Sequence, residues 1–81
     1  MISNEEIEQK FKSISDVFHI KVEGDGYQYR ITVVSDVFIN KSKVVRQQWV
    51  YAQLKDLITS GKLHAISMNT WTKEEWGKQH G

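Results

Sequence analysis

His64 stands in the run Lys62-Leu63-His64-Ala65-Ile66, three residues after Gly61, where an imidazole can offer a nitrogen to a metal or exchange a proton. A histidine at the start of a strand is ordinarily structural or merely exposed, so the position alone does not decide between these roles. A second group is Lys41, Lys43 and Arg46, gathered around Ser42. Such a cluster is usually a solvated face; its sharper reading is a phosphate- or carboxylate-binding patch beside a helix N-terminus. A third is Gly24-Asp25-Gly26, a glycine-rich turn. It leads from one period-two segment into another, not into a helix, which removes the nucleotide-loop reading. No serine or threonine is set beside a base and an orienting acid, and no carboxylate pair is placed for acid–base work, so the residues give no enzyme signature.

The absence of cysteine is equally informative. It removes disulfides, thiolate zinc sites and thiol nucleophiles, and any soft metal centre would need sulfur from another molecule. The formal net charge of +1 supplies no global field for nucleic acid, so binding of that kind would rest on a local patch. Hydrophobic residues at 40% and charged residues at 26% are ordinary for a folded domain. At 81 residues a second core would have too little apolar surface, so one domain over 1–81 is expected. No apolar run approaches the roughly 20 residues of a membrane span, and MISNEEIEQK does not read as a secretory signal. The expectation is a cytoplasmic protein without a membrane role.

These residues must be positioned by a small set of elements. Ser3-Asn4-Glu5-Glu6 is a capping box with Ile2 and Ile7 as its staple, predicting a helix from about Asn4 to Ser13 that buries Ile7, Phe11 and Ile14. Phe18, Ile20 and Val22 alternate with His19, Lys21 and Glu23, which predicts a half-buried strand with His19 facing solvent. Tyr27, Tyr29, Ile31 and Val33 predict the return strand of a hairpin. After a loop in which Asn40 suits a left-handed backbone, one long helix is expected from about Ser42 to Ser60, with Gly61 as its C′ residue. Its buried face is read as Val50, Leu54, Leu57 and Ile58, with Tyr51 and Val44 alongside. Lys62 to Met68 reads as a third strand. Thr72-x-x-Glu75 is a second capping box with Trp71 and Trp76 at its staple positions, and His80 falls in a tail without a role.

A helix joining the second and third strands implies a right-handed crossover that leaves them parallel neighbours. Lys62 to His64 should then lie beside Tyr27 to Tyr29, next to the glycine turn. His19 should lie ~16 Å down the sheet, five residues at about 3.3 Å each.

The segments VSDVF (Val34 to Phe38), S-x-V-x-R (Ser42, Val44, Arg46), QQxVY (Gln47 to Tyr51), LHAIS (Leu63 to Ser67) and TWTKEEW (Thr70 to Trp76) together resemble the BolA family. The GDG turn and short first helix are similar to its IbaG-like branch. The resemblance implies an α+β chain of α-β-β-α-α-β order related to the type II KH fold, a three-stranded mixed sheet with helices packed on one face. It further implies a non-enzymatic partner of monothiol glutaredoxins, monomeric alone and heterodimeric with its partner, linked to stress response and transcription regulation. The pair would share a [2Fe–2S] cluster whose sulfur comes from the glutaredoxin and glutathione, with His64 as the ligand from this chain. Gly24, Asp25, Gly26, Tyr27 and Gln28 would form the neighbouring wall, with Arg46 and Lys43 as further candidates for partner contact. Gln28 stands where relatives often carry a histidine, and glutamine is a poor iron ligand. The alternative is a DNA-binding regulator using Lys41, Lys43 and Arg46, although no GXXG loop of the KH type is present.

Overall fold

The computed structural model describes residues 2–80, without the side chain of His80. The order is α1 (Asn4–Lys12), β1 (Val17–Gly24), β2 (Gln28–Ser35), a 3-10 turn (Asp36–Phe38), α2 (Lys43–Gln53), α3 (Lys55–Thr59), β3 (Ala65–Trp71) and α4 (Lys73–His80). The sheet is mixed, with β2 in the centre, antiparallel to β1 and parallel to β3. It is thus an α+β fold with the α-β-β-α-α-β order followed by one more helix. The backbone of α4 extends to His80, so that part of the expected tail is helical; the histidine's side chain lies outside the described residues.

Local chemistry sets most boundaries. Ser3 Oγ accepts from Glu6 N–H, and Glu6 Oε1 accepts from Ser3 N–H, with Ile2 and Ile7 both buried as a staple. Asn40 takes φ 61°. At the other end of the crossover, Gly61 at φ 80° closes α3. Lys62 N–H donates to Leu57 O and Gly61 N–H to Ile58 O, the paired bonds of a Schellman stop.

The core lies between one face of the sheet and α1–α3. Ile7 and Phe11 come from α1, Val22, Tyr29, Ile31 and Val33 from the strands, and Val50, Leu54 and Leu57 from the crossover. Trp49 fills the remaining gap, 6.3 Å from the ring of Phe11 and edge-on at 5.4 Å to Phe38.

Five expectations change. The long helix is two, interrupted at Leu54 (φ −105°, ψ 6°), where Leu54 N–H reaches back to Tyr51 O in a tighter turn; no proline or glycine marks the break. Tyr51, Ile58 and Val44 are exposed, because the face turned to the sheet is that of Trp49, Val50, Leu54 and Leu57. The first strand carries a bulge: Val17 pairs with Ser35 and His19 with Val34, leaving Phe18 unpaired and 58% exposed. Core contact therefore falls to Val17, Ile20 and Val22. The third strand is Ala65–Trp71, three residues later than expected, since Lys62–His64 complete the turn after Gly61.

His19 is the fifth change. It is half-buried and stacks on Trp76 at 5.2 Å and 30°. Its cross-strand partner Val34 and then Trp71 continue the same row, on the face opposite Ile20 and Val33. Packing of helices on one face thus describes α1–α3, while α4 brings Trp76 to the other. This second cover explains why Thr32 and Val34 are buried although they point away from the core.

Candidate functional site

His64 lies immediately before β3. Gln28 pairs with Ala65, so one step back along the register sets His64 level with Tyr27, at the hairpin end of the sheet. The imidazole is exposed, and no hydrogen bond or ion pair engages it among the described residues. What holds it in place is the turn: the Schellman stop fixes Gly61 to Leu63, and Leu63 is anchored in the core at 1% exposed.

The turn that shares this sheet end is also tightly set. Asp25 Oδ1 accepts from the N–H groups of Tyr27 (2.9 Å) and Gln28 (3.1 Å), and Asp25 N–H donates to Gln28 O. The two backbone donors, Gln28 before Tyr27, hold the Asp25 carboxyl below the usual carboxylate range. Gly26 adopts φ 100°. Gly24 is required for a different reason: a Cβ there would meet Tyr29 Cδ1 at 2.3 Å and Gln28 O at 2.8 Å. Tyr27 belongs to this loop, not to the strand, and is 80% exposed.

His64 and the turn share the sheet end but line separate cavities. A hollow of about 300 Å³ is bordered by Gly24, Asp25, Gln28, Arg30 and Ser67 among others. His64 instead borders a cavity of about 410 Å³ with Tyr51, Ala52, Lys55, Ile58 and Ile66. The cavity beside His64 is walled by α2, α3 and Ile66 of β3, while the Gly24–Tyr27 turn stands at the same end of the sheet. Sequence reasoning missed these residues because Tyr51 and Ile58 were assigned to the core stripe. The i, i+4, i+7 spacing of Tyr51, Lys55 and Ile58 was the available signal that they share a face.

The basic cluster separates. Lys41 and Lys43 are exposed. Arg46, whose side chain is only 11% exposed, is occupied within the fold. Its Nε donates to Lys41 O, Nη1 to Thr70 O and Glu75 Oε1, and Nη2 to Glu75 Oε2. Its guanidinium also lies 5.8 Å from the centre of the Phe38 ring. Arg46 as a nucleic-acid or partner contact is thus corrected: four of its five guanidinium N–H donors are spent inside the fold and the side chain is largely buried. Glu75 answers it while accepting from Thr72 N–H, closing the second capping box. The Arg46 hydrogen bond, followed by that of Thr72, lowers the Glu75 carboxyl from 4.5 to about 2.

Among the described residues no group of three or more histidine, aspartate or glutamate side chains could hold a metal ion, and the sequence has no cysteine. An exposed imidazole with free nitrogens suits a single terminal ligand, the remaining ligands coming from elsewhere. Among the described residues no helix is long and apolar enough to cross a membrane.

A three-stranded mixed sheet in α-β-β-α-α-β order, carrying one exposed histidine ahead of its last strand, defines a small α+β domain class. The chain belongs to the BolA-like protein family, whose family model matches residues 3–75. It is 30% identical over 77 residues to the acid stress protein IbaG of Escherichia coli (strain K12), covering 95% of this chain and 92% of that protein. A BolA protein homologue from Coxiella burnetii superposes with a TM-score of 0.83 at 28% identity, covering 95% and 99% of the two chains. The BolA domain of SufE1 from Arabidopsis thaliana does so with a TM-score of 0.80 at 29% identity, covering 93% and 99%.

Proposed function

We propose that this protein is a non-enzymatic adaptor that pairs with a monothiol glutaredoxin and takes part in [2Fe–2S] cluster binding, trafficking or iron sensing. The observation that carries the reading is His64: an exposed imidazole, unengaged within the chain, held on a turn fixed by Gly61 and Leu63. A chain without cysteine takes part in such a site by lending one nitrogen ligand, while the glutaredoxin cysteine and a glutathione thiolate supply sulfur. Replacing thiolate by neutral histidine changes the charge and potential of the cluster. Within this chain the Schellman turn orients the ring, and the Tyr51–Ile58 face beside it offers apolar surface to the partner. The pair would work in the cytoplasm, this chain being a monomer when alone.

The test is anaerobic reconstitution of the mixture with iron, sulfide and glutathione. The wild-type pair should show a visible spectrum distinct from that of the glutaredoxin alone, and His64→Ala should abolish the difference. An unchanged spectrum would remove His64 from the site. The DNA-binding alternative has less support, since only Lys41 and Lys43 of its three cations remain exposed.

A further inference from the structure

β3 is an edge strand, and its free side opens onto a groove that runs from the cavity beside His64 toward Thr70. One wall is helical: Lys43, Gln47, Tyr51 and Lys55 follow one another at i+4 steps along one face of α2 and into α3. The floor is the alternating set Ile66, Met68 and Thr70, all half-buried. Two cavities lie along it. That of about 410 Å³ joins Tyr51 and Lys55 to Ile66, and one of about 180 Å³ joins Lys43 and Gln47 to Met68 and Thr70. The strand order leaves β3 unpaired on the side away from β2, and half of the peptide groups of a strand point that way. Arg46 closes the far end by taking Thr70 O.

The charges along this groove are of one sign. Lys43 and Lys55 are exposed and neither has an ion-pair partner among the described residues, while no carboxylate lines either cavity. The nearest acid on that helix, Asp56, is committed to Lys10. Two copies joined edge to edge would bring these same lysines into one seam with nothing to answer them.

We infer that β3 receives an extended, acidic segment of a partner protein as a fourth strand. Its alternate side chains enter the apolar floor, and carboxylates at its two ends meet Lys43 and Lys55. Main-chain hydrogen bonds to the free edge give affinity, and the pockets and lysines give specificity. The spacing agrees: twelve residues of helix span on the order of 18 Å, and six residues of extended chain span about 20 Å on one face. This holds whether or not iron is bound at His64, and its test uses the isolated protein without metal.

The probe is the heptapeptide Glu-Thr-Val-Thr-Val-Thr-Glu, blocked at both ends, whose symmetrical pattern serves either strand direction. Titrated into isotopically labelled protein at low salt, it should shift β3 amides and slow exchange of those facing away from β2. Lys43→Glu and Lys55→Glu should each weaken binding about threefold, and about tenfold together. The same peptide with lysine in place of both glutamates should bind more weakly than the parent. Absence of β3 shifts at millimolar peptide, or equal binding by the double variant, would overturn the inference. So would a single-stranded oligothymidine that occupies the groove while the peptide does not.

Discussion

Arg46 and Glu75, 29 residues apart, are joined by two parallel hydrogen bonds, Nη1 to Oε1 at 2.7 Å and Nη2 to Oε2 at 3.2 Å. Through them the first turn of α2 is tied to α4, and the same carboxylate caps α4 at Thr72. Removing the arginine takes the donor from Thr70 O and Glu75 Oε2 and leaves Glu75 Oε1 only the Thr72 N–H. Arg46→Ala is expected to destabilise the fold by about 2 kcal/mol, and Arg46→Lys to recover only part because it cannot make the paired contact. Urea denaturation of the three proteins checks both.

The pH dependence follows from Glu75. Its folded value, about 2, lies below its ordinary 4.5, so the bound form is the carboxylate. The contribution to stability is whole above the unfolded value and is lost as pH falls from about 4.5 to about 2. Asp56, lowered chiefly by the hydrogen bond from Lys10, and Asp25 act in the same direction. Urea midpoints measured between pH 6 and 2 should fall through this window, and Glu75→Gln should make the decline shallower.

Gly24→Ala should cost about 1–3 kcal/mol through overpacking against Tyr29. Tyr29 is 3% exposed and its hydroxyl donates to Ile2 O, so the clash reaches the start of α1. The expected readout is a lowered thermal midpoint together with faster exchange of α1 amides.

Phe38→Ala should be the most damaging of these substitutions. Phe38 is 1% exposed, meets Trp49 edge-on and underlies Arg46. A loss of about 3–5 kcal/mol is a large share of the stability of so small a domain. Tryptophan fluorescence should report it directly, through the altered surroundings of Trp49.

What could be read from the residues was mostly local. Ser3 with Glu6, Thr72 with Glu75, Asn40 and Gly61 each solve a backbone problem within a few positions, and each behaves as its type requires. The parallel pairing of β2 with β3 was also legible, because handedness leaves a crossover little choice. The remainder depends on partners distant in the chain. Arg46 looked like surface charge because nothing nearby announces Glu75. His19 looked solvent-facing because Trp76 lies 57 positions away. The interruption at Leu54 carries no breaker residue, and without it Tyr51 and Ile58 read as core. The place of His64 at the hairpin end of the sheet was legible, but the helical wall beside it was not, since that wall depends on which helical face turns outward.

The bulge at Phe18 has a consequence for how this chain can vary in length. Val17 and His19 already occupy successive rungs opposite Ser35 and Val34, so Phe18 is surplus to the ladder. Its ring is held outside, 5.1 Å from the Lys73 ammonium. A chain shortened by that one residue would keep every cross-strand partner and the inward or outward sense of each side chain. Elsewhere in the same strand, a single deletion would turn the inner face out.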